Sequence, residues 1–377
     1  MKIAVVAHIR YPIAEPFCGG MEAHTHQLCA GLRAAGHSVT LFAPEGSQDA
    51  NLVPICAPYD AVLPWEVFRG TPRLAAFQTE AFARAFRSIR EDAFDVVHNN
   101  SLFPDLIGWL ADERIACVTS LHVPPFESLV EAVSSVSLRH GAVVTVPSSS
   151  QADIWQARGC ADLRVVPNGV DTARWHPSPA HEDYLVWTGR IVPNKGLAHA
   201  IRAARIAGAR LRIYGPIEDA SYFAAEVEPW LGEQISYRGH LPARSLGSEI
   251  AGARGALVTP MWDEPFGLVA AEALACGVPV AAYDRGALGE VLGPCGILVP
   301  GGDAAALAEA IPALAAIDRT MCRQRAIETL SVPAMIARYE ACYTAAIEGA
   351  GEGSGDLSRS AASASSCART TALLANG

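Results

Sequence analysis

Apolar residues in this chain fall into short unbroken runs, separated by longer stretches where they recur every three or four positions. IAVVAHI (3–9), SVTLFAP (38–44), DVVHNNS (95–101), IACVTSLH (115–122) and AVVTVPS (142–148) are rich in β-branched residues and almost continuously apolar at their centres. A strand with one wet face alternates, whereas a run without alternation is buried on both faces, as in a parallel sheet covered by helices. Between the runs, EAHTHQLCAGLRAAG (22–36) ends on a glycine, and RLAAFQTEAFARAFRSIRED (73–92) keeps a helical period.

The same pattern then begins again. YLVWTGR (184–190), LRIYGP (211–216), ISYRGHL (235–241), GALVTPM (255–261), PVAAY (279–283) and GILVP (296–300) read as strands with helices between them. TARWHPSPAHED (172–183) is polar, proline-rich and aperiodic, the composition of a linker. The chain therefore divides into a doubly wound α/β domain over 1–171, the linker 172–183, and a second such domain over 184–331. A final helix over 332–348 follows. The Gly/Ser/Ala-rich remainder, 349–377, has the composition of a disordered tail. Ligands of open α/β sheets bind beyond the carboxyl ends of the strands, so chemistry is expected where the two domains face one another.

Composition narrows the chemistry. Of 377 residues, 50% are hydrophobic and 18% charged, with a formal net charge of −10, which argues against nucleic acid as a partner. An anionic ligand would need a local cluster of cations and helix N-termini. Ten cysteines occur without a CxxC pair, which suits reduced thiols in a cytoplasmic protein rather than a disulfide frame or a zinc site. MKIAVVAHI reads as a strand, not a secretory leader. No uninterrupted apolar stretch approaches the roughly 18 residues of a membrane span, so the expectation is a soluble protein or one peripheral to a membrane. The basic and aromatic stretch 73–92 is a candidate for such a contact, against the alternative of a helix packed on the sheet with a solvated arginine face.

Three stretches carry candidate chemistry. The loop after the first run holds Gly19 and Gly20 directly ahead of a helix but no GxGxxG, which weighs against a nicotinamide enzyme. A Gly-Gly pair there allows close backbone approach to a ligand. In WTGRIVPNKG, Arg190 follows the strand end and Lys195 comes five residues later, a fork and a point charge suited to a diphosphate. In DEPFGLVAAEALACGVPV (263–280), a helix starting near Gly267 offers the free N–H groups of Gly267, Leu268 and Val269 to a phosphate. Glu264 sits in the loop ahead of it. Glu272 lies among alanines, and a buried carboxylate is costly unless something receives it; ribose hydroxyls are one such partner. The alternative for Glu272 is an arginine neighbour or a cap.

Glu264-x7-Glu272, G-R-x4-K-G (189–196) and the Gly-Gly loop, with DVVH (95–98), SLH (120–122), VVPNGVD (165–171) and YRGHL (237–241), resemble the retaining family 4 glycosyltransferases of the GT-B fold, over roughly residues 1–348. The resemblance implies a nucleotide diphosphate sugar as donor, with UDP preferred, and an acceptor that is a glycan, a lipid-linked sugar or a small molecule. Arg190 and Lys195, aided by the 267–269 amides, would bind the diphosphate. Glu272 would hold the ribose, and Glu264 the transferred sugar. His122 would face that sugar across the cleft, and Gly19 and Gly20 would approach sugar and phosphate. His240 and Leu241 would contact the base. The family often shows a second histidine after VVH, where this chain has Asn99 and Asn100; with His98 these are expected on the acceptor side. The last helix is expected to cross back onto the first domain.

Other chemistries fit less well. No DxD is present to hold a metal on a diphosphate, so metal-independent transfer without a cofactor is expected. His24 and His26 point apart on a helix and make poor joint zinc ligands. VTVPSSSQADI contains no G-x-S-x-G elbow, and Ser150 reads as a helix cap. The rivals that remain are a nucleotide-sugar epimerase or hydrolase of the same fold, and a non-catalytic nucleotide-sugar binding protein.

Overall fold

The computed structural model describes residues 1–136 and 141–371. Seven parallel strands form the first sheet: β1 (Lys2–Val6), β2 (Ser38–Pro44), β3 (Leu52–Cys56), β4 (Val96–Asn99), β5 (Cys117–Ser120), β6 (Ala142–Val146) and β7 (Leu163–Val165), in the order β3-β2-β1-β4-β5-β6-β7. Six more form the second: β8 (Leu185–Thr188), β9 (Leu211–Tyr214), β10 (Ile235–Tyr237), β11 (Gly255–Val258), β12 (Val280–Tyr283) and β13 (Gly296–Val299), in the order β10-β9-β8-β11-β12-β13. Both are doubly wound, and the winding reverses beside β1 in one and beside β8 in the other. This is the two-domain α/β arrangement of the GT-B fold.

The unbroken apolar runs have the expected cause. Ile3, Val5 and Ala7 of the first strand and its end pack on one face, while Ala4, Val6 and Ile9 pack on the other. Helix Pro72–Glu91, capped by Thr71, lays Leu74, Phe82, Ala85 and Ile89 onto the second face. Its arginines look outward: Arg84 reaches the Ile55 carbonyl and Arg90 pairs with Glu113.

The chain crosses between domains twice, at one place. Val170 pairs with Ser331, its N–H donating to the Leu330 carbonyl at 2.7 Å while Val332 N–H donates back to Val170 at 3.0 Å. From there helix Val332–Thr371 returns to the first domain, burying Met335, Ile336, Tyr339, Tyr343 and Ala346 against β1, β2 and β5 residues. The stretch 349–371, expected as a tail from its Gly/Ser content, has helical backbone here; alanine, the strongest helix former, recurs through it. Residues 372–377 of that expected tail lie outside the described residues.

Candidate active site

The carboxyl ends of the two sheets border one cleft of about 510 Å³. It is lined from the first domain by Gly19, Gly20 and His122, and from the second by Arg190, Lys195, His240, Leu241, Glu264, Gly267, Leu268, Val269 and Glu272. The placement follows from the winding. The loop with Arg190 and Lys195 follows β8, and the loop with Glu264 follows β11, so the two strands that flank the second sheet's reversal each deliver one half of the candidate donor site.

Two glycines make this local geometry possible. Gly196 has φ +67°, and a Cβ there would stand 1.9 Å from the Thr259 carbonyl oxygen, so the β8 loop can press against the end of β11 only without a side chain. Gly267, at φ +96°, caps helix Leu268–Ala275 and turns the chain out of the Glu264 loop. The first internal helical bonds are made by Ala270 and Ala271, both donating to the Gly267 carbonyl. The Leu268 and Val269 amides are thus left facing the cleft at the positive end of the helix.

Glu272 sits on this helix with no ion pair or hydrogen-bond partner among the described residues. Burial alone pushes its carboxyl up to about 8. Neither an arginine nor a cap receives it, so the alternatives considered from sequence do not apply.

Arg190 and Lys195 do meet carboxylates. Arg190 Nη1 is 2.6 Å from Glu218 Oε2, and Lys195 Nζ donates to Glu264 Oε2 at 2.7 Å. The same Oε2 accepts from Trp262 Nε1 at 3.0 Å, and Lys195 lies 5.0 Å from the Trp262 ring centroid. Both contacts converge on one oxygen of Glu264, Oε2.

Across the cleft, His122 is half-buried, and burial lowers its imidazole to about 4, so it is neutral near pH 7. Its ring stands 4.3 Å from that of His24 by centroid. Both ring nitrogens of His24, and Nδ1 of His122, are buried without a hydrogen-bond partner among the described residues. Behind them the polar segment at the end of β4 is enclosed. His98 Nδ1 meets the Tyr343 hydroxyl at 2.7 Å and its Nε2 meets Asn100 Oδ1 at 3.0 Å, while Asn99 Oδ1 accepts from the Ser101 hydroxyl at 2.6 Å. His98, Asn99 and Asn100, expected to face the acceptor, are therefore core residues with no exposed surface. For His98 the reason is the returning helix, whose Tyr339 and Tyr343 rings close on the imidazole; Asn99 and Asn100 are enclosed beside Thr119, Ser101 and Thr25. Only Asn100 touches the cleft's lining, through a 3.4 Å contact of its Oδ1 with His122 Nε2.

The serine triplet resolves differently from its sequence reading as well. Ser148, not Ser150, caps helix Ser149–Gln156, accepting from Gln151 N–H at 3.1 Å. Its hydroxyl donates to the Pro265 carbonyl at 2.8 Å, which ties the first domain to the Glu264 loop. Glu290 of the second domain accepts from the Ser149 and Ser150 amides at 2.8 and 2.7 Å. Arg10, Trp65 and Trp262 of the cleft lining, and Glu218 beside it, lie outside the patterned stretches, and only the folded sheets bring them together; Glu22 lies at the head of the stretch 22–36 with no signal of its own. The nine cysteines with described side chains are all free thiols, eight of them buried. No helix among the described residues is long and apolar enough to cross a membrane.

Comparison with known proteins agrees with this geometry. Residues 18–174 match Glycosyltransferase Family 4, and residues 182–316 match Glycosyl transferases group 1. Phosphatidyl-myo-inositol mannosyltransferase of Mycobacterium leprae is 28% identical over 336 residues, covering 83% of this chain and 87% of that protein. Among solved structures, sucrose-phosphate synthase from Thermosynechococcus elongatus superposes with a TM-score of 0.74 at 22% identity, over 91% of this chain and 98% of that one. HepE of Anabaena, solved with UDP-glucose, superposes at 0.70 with 18% identity, over 91% and 99%. With both halves matched in order, and both sheets wound around one cleft, the chain belongs to the family 4 glycosyltransferases of the GT-B fold.

Proposed function

We propose that this glycosyltransferase takes a nucleotide diphosphate sugar as donor, with UDP the preferred nucleotide, and transfers the sugar with retention of configuration and without a metal ion. The observation that carries this reading is Glu272. A carboxylate raised to about 8 by burial, with no partner among the described residues and one turn from two free helix amides, is suited to a ribose whose diphosphate lies on that helix end. Arg190 and Lys195 supply cations to the same diphosphate, which favours charge neutralisation by side chains and helix dipole. HepE, bound to UDP-glucose, shares the fold and supports UDP as the first nucleotide to try.

Donor binding then has a local consequence. As Lys195 turns to the phosphate it releases Glu264, whose carboxylate accepts hydroxyls of the sugar being transferred. Neutral His122 faces that sugar from the other domain. The bond from the acceptor oxygen to the anomeric carbon forms on the face where the carbon–phosphate oxygen bond breaks, and the acceptor's proton passes to the departing phosphate oxygen. This route needs no protein nucleophile. His240 and Leu241 flank the place left for the base, and Gly19 and Gly20 approach sugar and phosphate.

Incubation with UDP-, GDP- and dTDP-sugars in the presence of EDTA, with nucleotide diphosphate release as readout, tests the reading. Release stimulated by an acceptor, with a product of the donor's anomeric configuration by NMR, is expected. Tight binding with no release would leave a binding protein, release without acceptor a hydrolase, and interconverted free nucleotide sugar an epimerase.

A further inference from the structure

The first domain contributes a wall of the cleft that the donor does not use. It is made by Arg10 and Tyr11 after β1, Glu22 at the start of helix Gly20–Ala34, and Tyr59 and Trp65 beyond β3. Arg10 is the cation of this wall, and its charge is consumed. Its Nε donates to Asp60 Oδ1 at 3.2 Å. The guanidinium lies between two rings, 4.9 Å from the Tyr11 centroid and 5.5 Å from that of Trp65. A second carboxylate, Glu218 from the loop after β9, stands 3.9 Å from its Nη2.

Glu218 is shared between the two domains, since it also holds Arg190 at 2.6 Å. When Arg190 turns to a diphosphate, as the donor reading requires, Glu218 loses its nearer partner and keeps Arg10. Donor binding therefore leaves Arg10 less available to an anion, not more. Arg174, the other cation near this wall, is paired with Glu15. Glu22 adds a carboxylate whose countercharges, Arg190 and then Arg10, act on it without forming an ion pair, and the donor reading turns the first of them away to the diphosphate. Glu22 is 4% exposed, makes no ion pair among the described residues, and its hydrogen bond comes from its own backbone amide.

A phosphomonoester carries about −1.5 to −2 charges near neutral pH, and on this wall it would meet Glu22, Asp60 and Glu218, while Arg10 and Arg174, the wall's cations among the described residues, are already paired with carboxylates. Hydroxyl groups find the opposite: a carboxylate short of donors, beside aromatic faces that can cover apolar C–H surface. The geometry points to an acceptor that is uncharged where it enters the cleft, a neutral carbohydrate whose hydroxyls meet Glu22 and whose ring faces Trp65 and Tyr11. This inference rests on the donor reading above for the hand-over of Glu218.

UDP is first titrated into the full-length protein by calorimetry. Nucleotide release from the donor found in the panel is then measured with matched acceptors: hexoses, methyl hexosides and disaccharides, each against its phosphate ester. At least one neutral member is expected to accelerate release tenfold or more, and its phosphate ester less than about twofold. The double variant Asp60→Asn/Glu218→Gln, which frees Arg10, is expected to gain at least fivefold in affinity for hexose 6-phosphate, and Glu218→Gln alone a smaller increase. A phosphorylated acceptor that works as well as its neutral partner in the wild type overturns the inference. So does the absence of any neutral acceptor, or variants that show no gain. A protein that binds no nucleotide overturns the donor reading, whereas one that binds it and answers only to phosphorylated acceptors overturns this inference alone.

Discussion

Lys195 and Glu264 neutralise one another at the cleft, Nζ 2.7 Å from Oε2, so on the proposed reading each occupies the group that the other's ligand must claim. Lys195→Ala removes a charge-assisted contact to phosphate worth about 1.5–3 kcal/mol, and should weaken UDP binding roughly ten- to hundredfold. Glu264→Gln releases the lysine instead. Nucleotide affinity should then hold within about threefold or improve, while sugar transfer falls on the order of a hundredfold, as for loss of a group acting in the transition state. Calorimetry beside turnover measures both. A Glu264→Gln protein that loses UDP as badly as Lys195→Ala would refute this division.

On the proposed reading, Glu272 should make nucleotide binding and stability pH-dependent. Its folded carboxyl is raised to about 8 while an unfolded glutamate titrates near 4.5. Between those values the folded state holds the extra proton, so stability falls as pH rises through that window and levels off above it. Glu272→Gln, fixed in the neutral form, should raise the melting temperature at pH 8.5 and leave it almost unchanged at pH 4.5. Ribose hydroxyls favour the ionised form, so UDP binding at pH 7 should release a proton from the wild type and none from the variant. Calorimetry in two buffers of different ionisation enthalpy reads this directly. Equal heats in both buffers would remove Glu272 from the nucleotide.

His122 is held neutral by burial, at about 4, and His24 beside it is lowered well below the usual histidine range. Turnover should accordingly show no histidine inflection between about pH 5.5 and 7.5. His122→Ala should slow transfer at least tenfold with little change in UDP affinity, because its ring faces the cleft from the domain opposite Arg190 and Lys195. A bell-shaped profile centred near 6.5 that vanishes in this variant would show that the imidazole works as a charged acid instead.

Glu290 and Ser148 bind the domains together beside the Glu264 loop. A carboxylate at a helix N-terminus contributes about 0.3–1 kcal/mol, up to about 2 where partly buried. Glu290→Ala should therefore open the ligand-free protein, seen as a larger radius of gyration in X-ray scattering, and raise the donor KM up to about tenfold with a smaller effect on kcat. An unchanged radius with an unchanged KM would make the contact incidental to closure.

The local pattern of the chain determined the strands, their grouping into two α/β domains and the loops at the strand ends that carry the candidate donor residues. Unbroken apolar runs can satisfy both faces only in covered parallel sheets, and glycine, arginine and lysine at the strand ends are signals a reader can see in one dimension. E-x7-E is legible for the same reason, since both glutamates lie within one loop-helix unit. What the tertiary structure alone decided is which groups lie opposite one another. His98, Asn99 and Asn100 stand at a strand end like a site segment, yet Tyr339 and Tyr343, more than two hundred residues later, close on His98, and Thr119 and Thr25 meet Asn99 and Asn100, so that all three become core. Arg10 and Glu218, on different domains, share a charge that no spacing announces. Periodicity reports which face of an element is buried; it carries no record of what a distant element will place upon that face, and in a two-domain cleft that second fact sets the electrostatics.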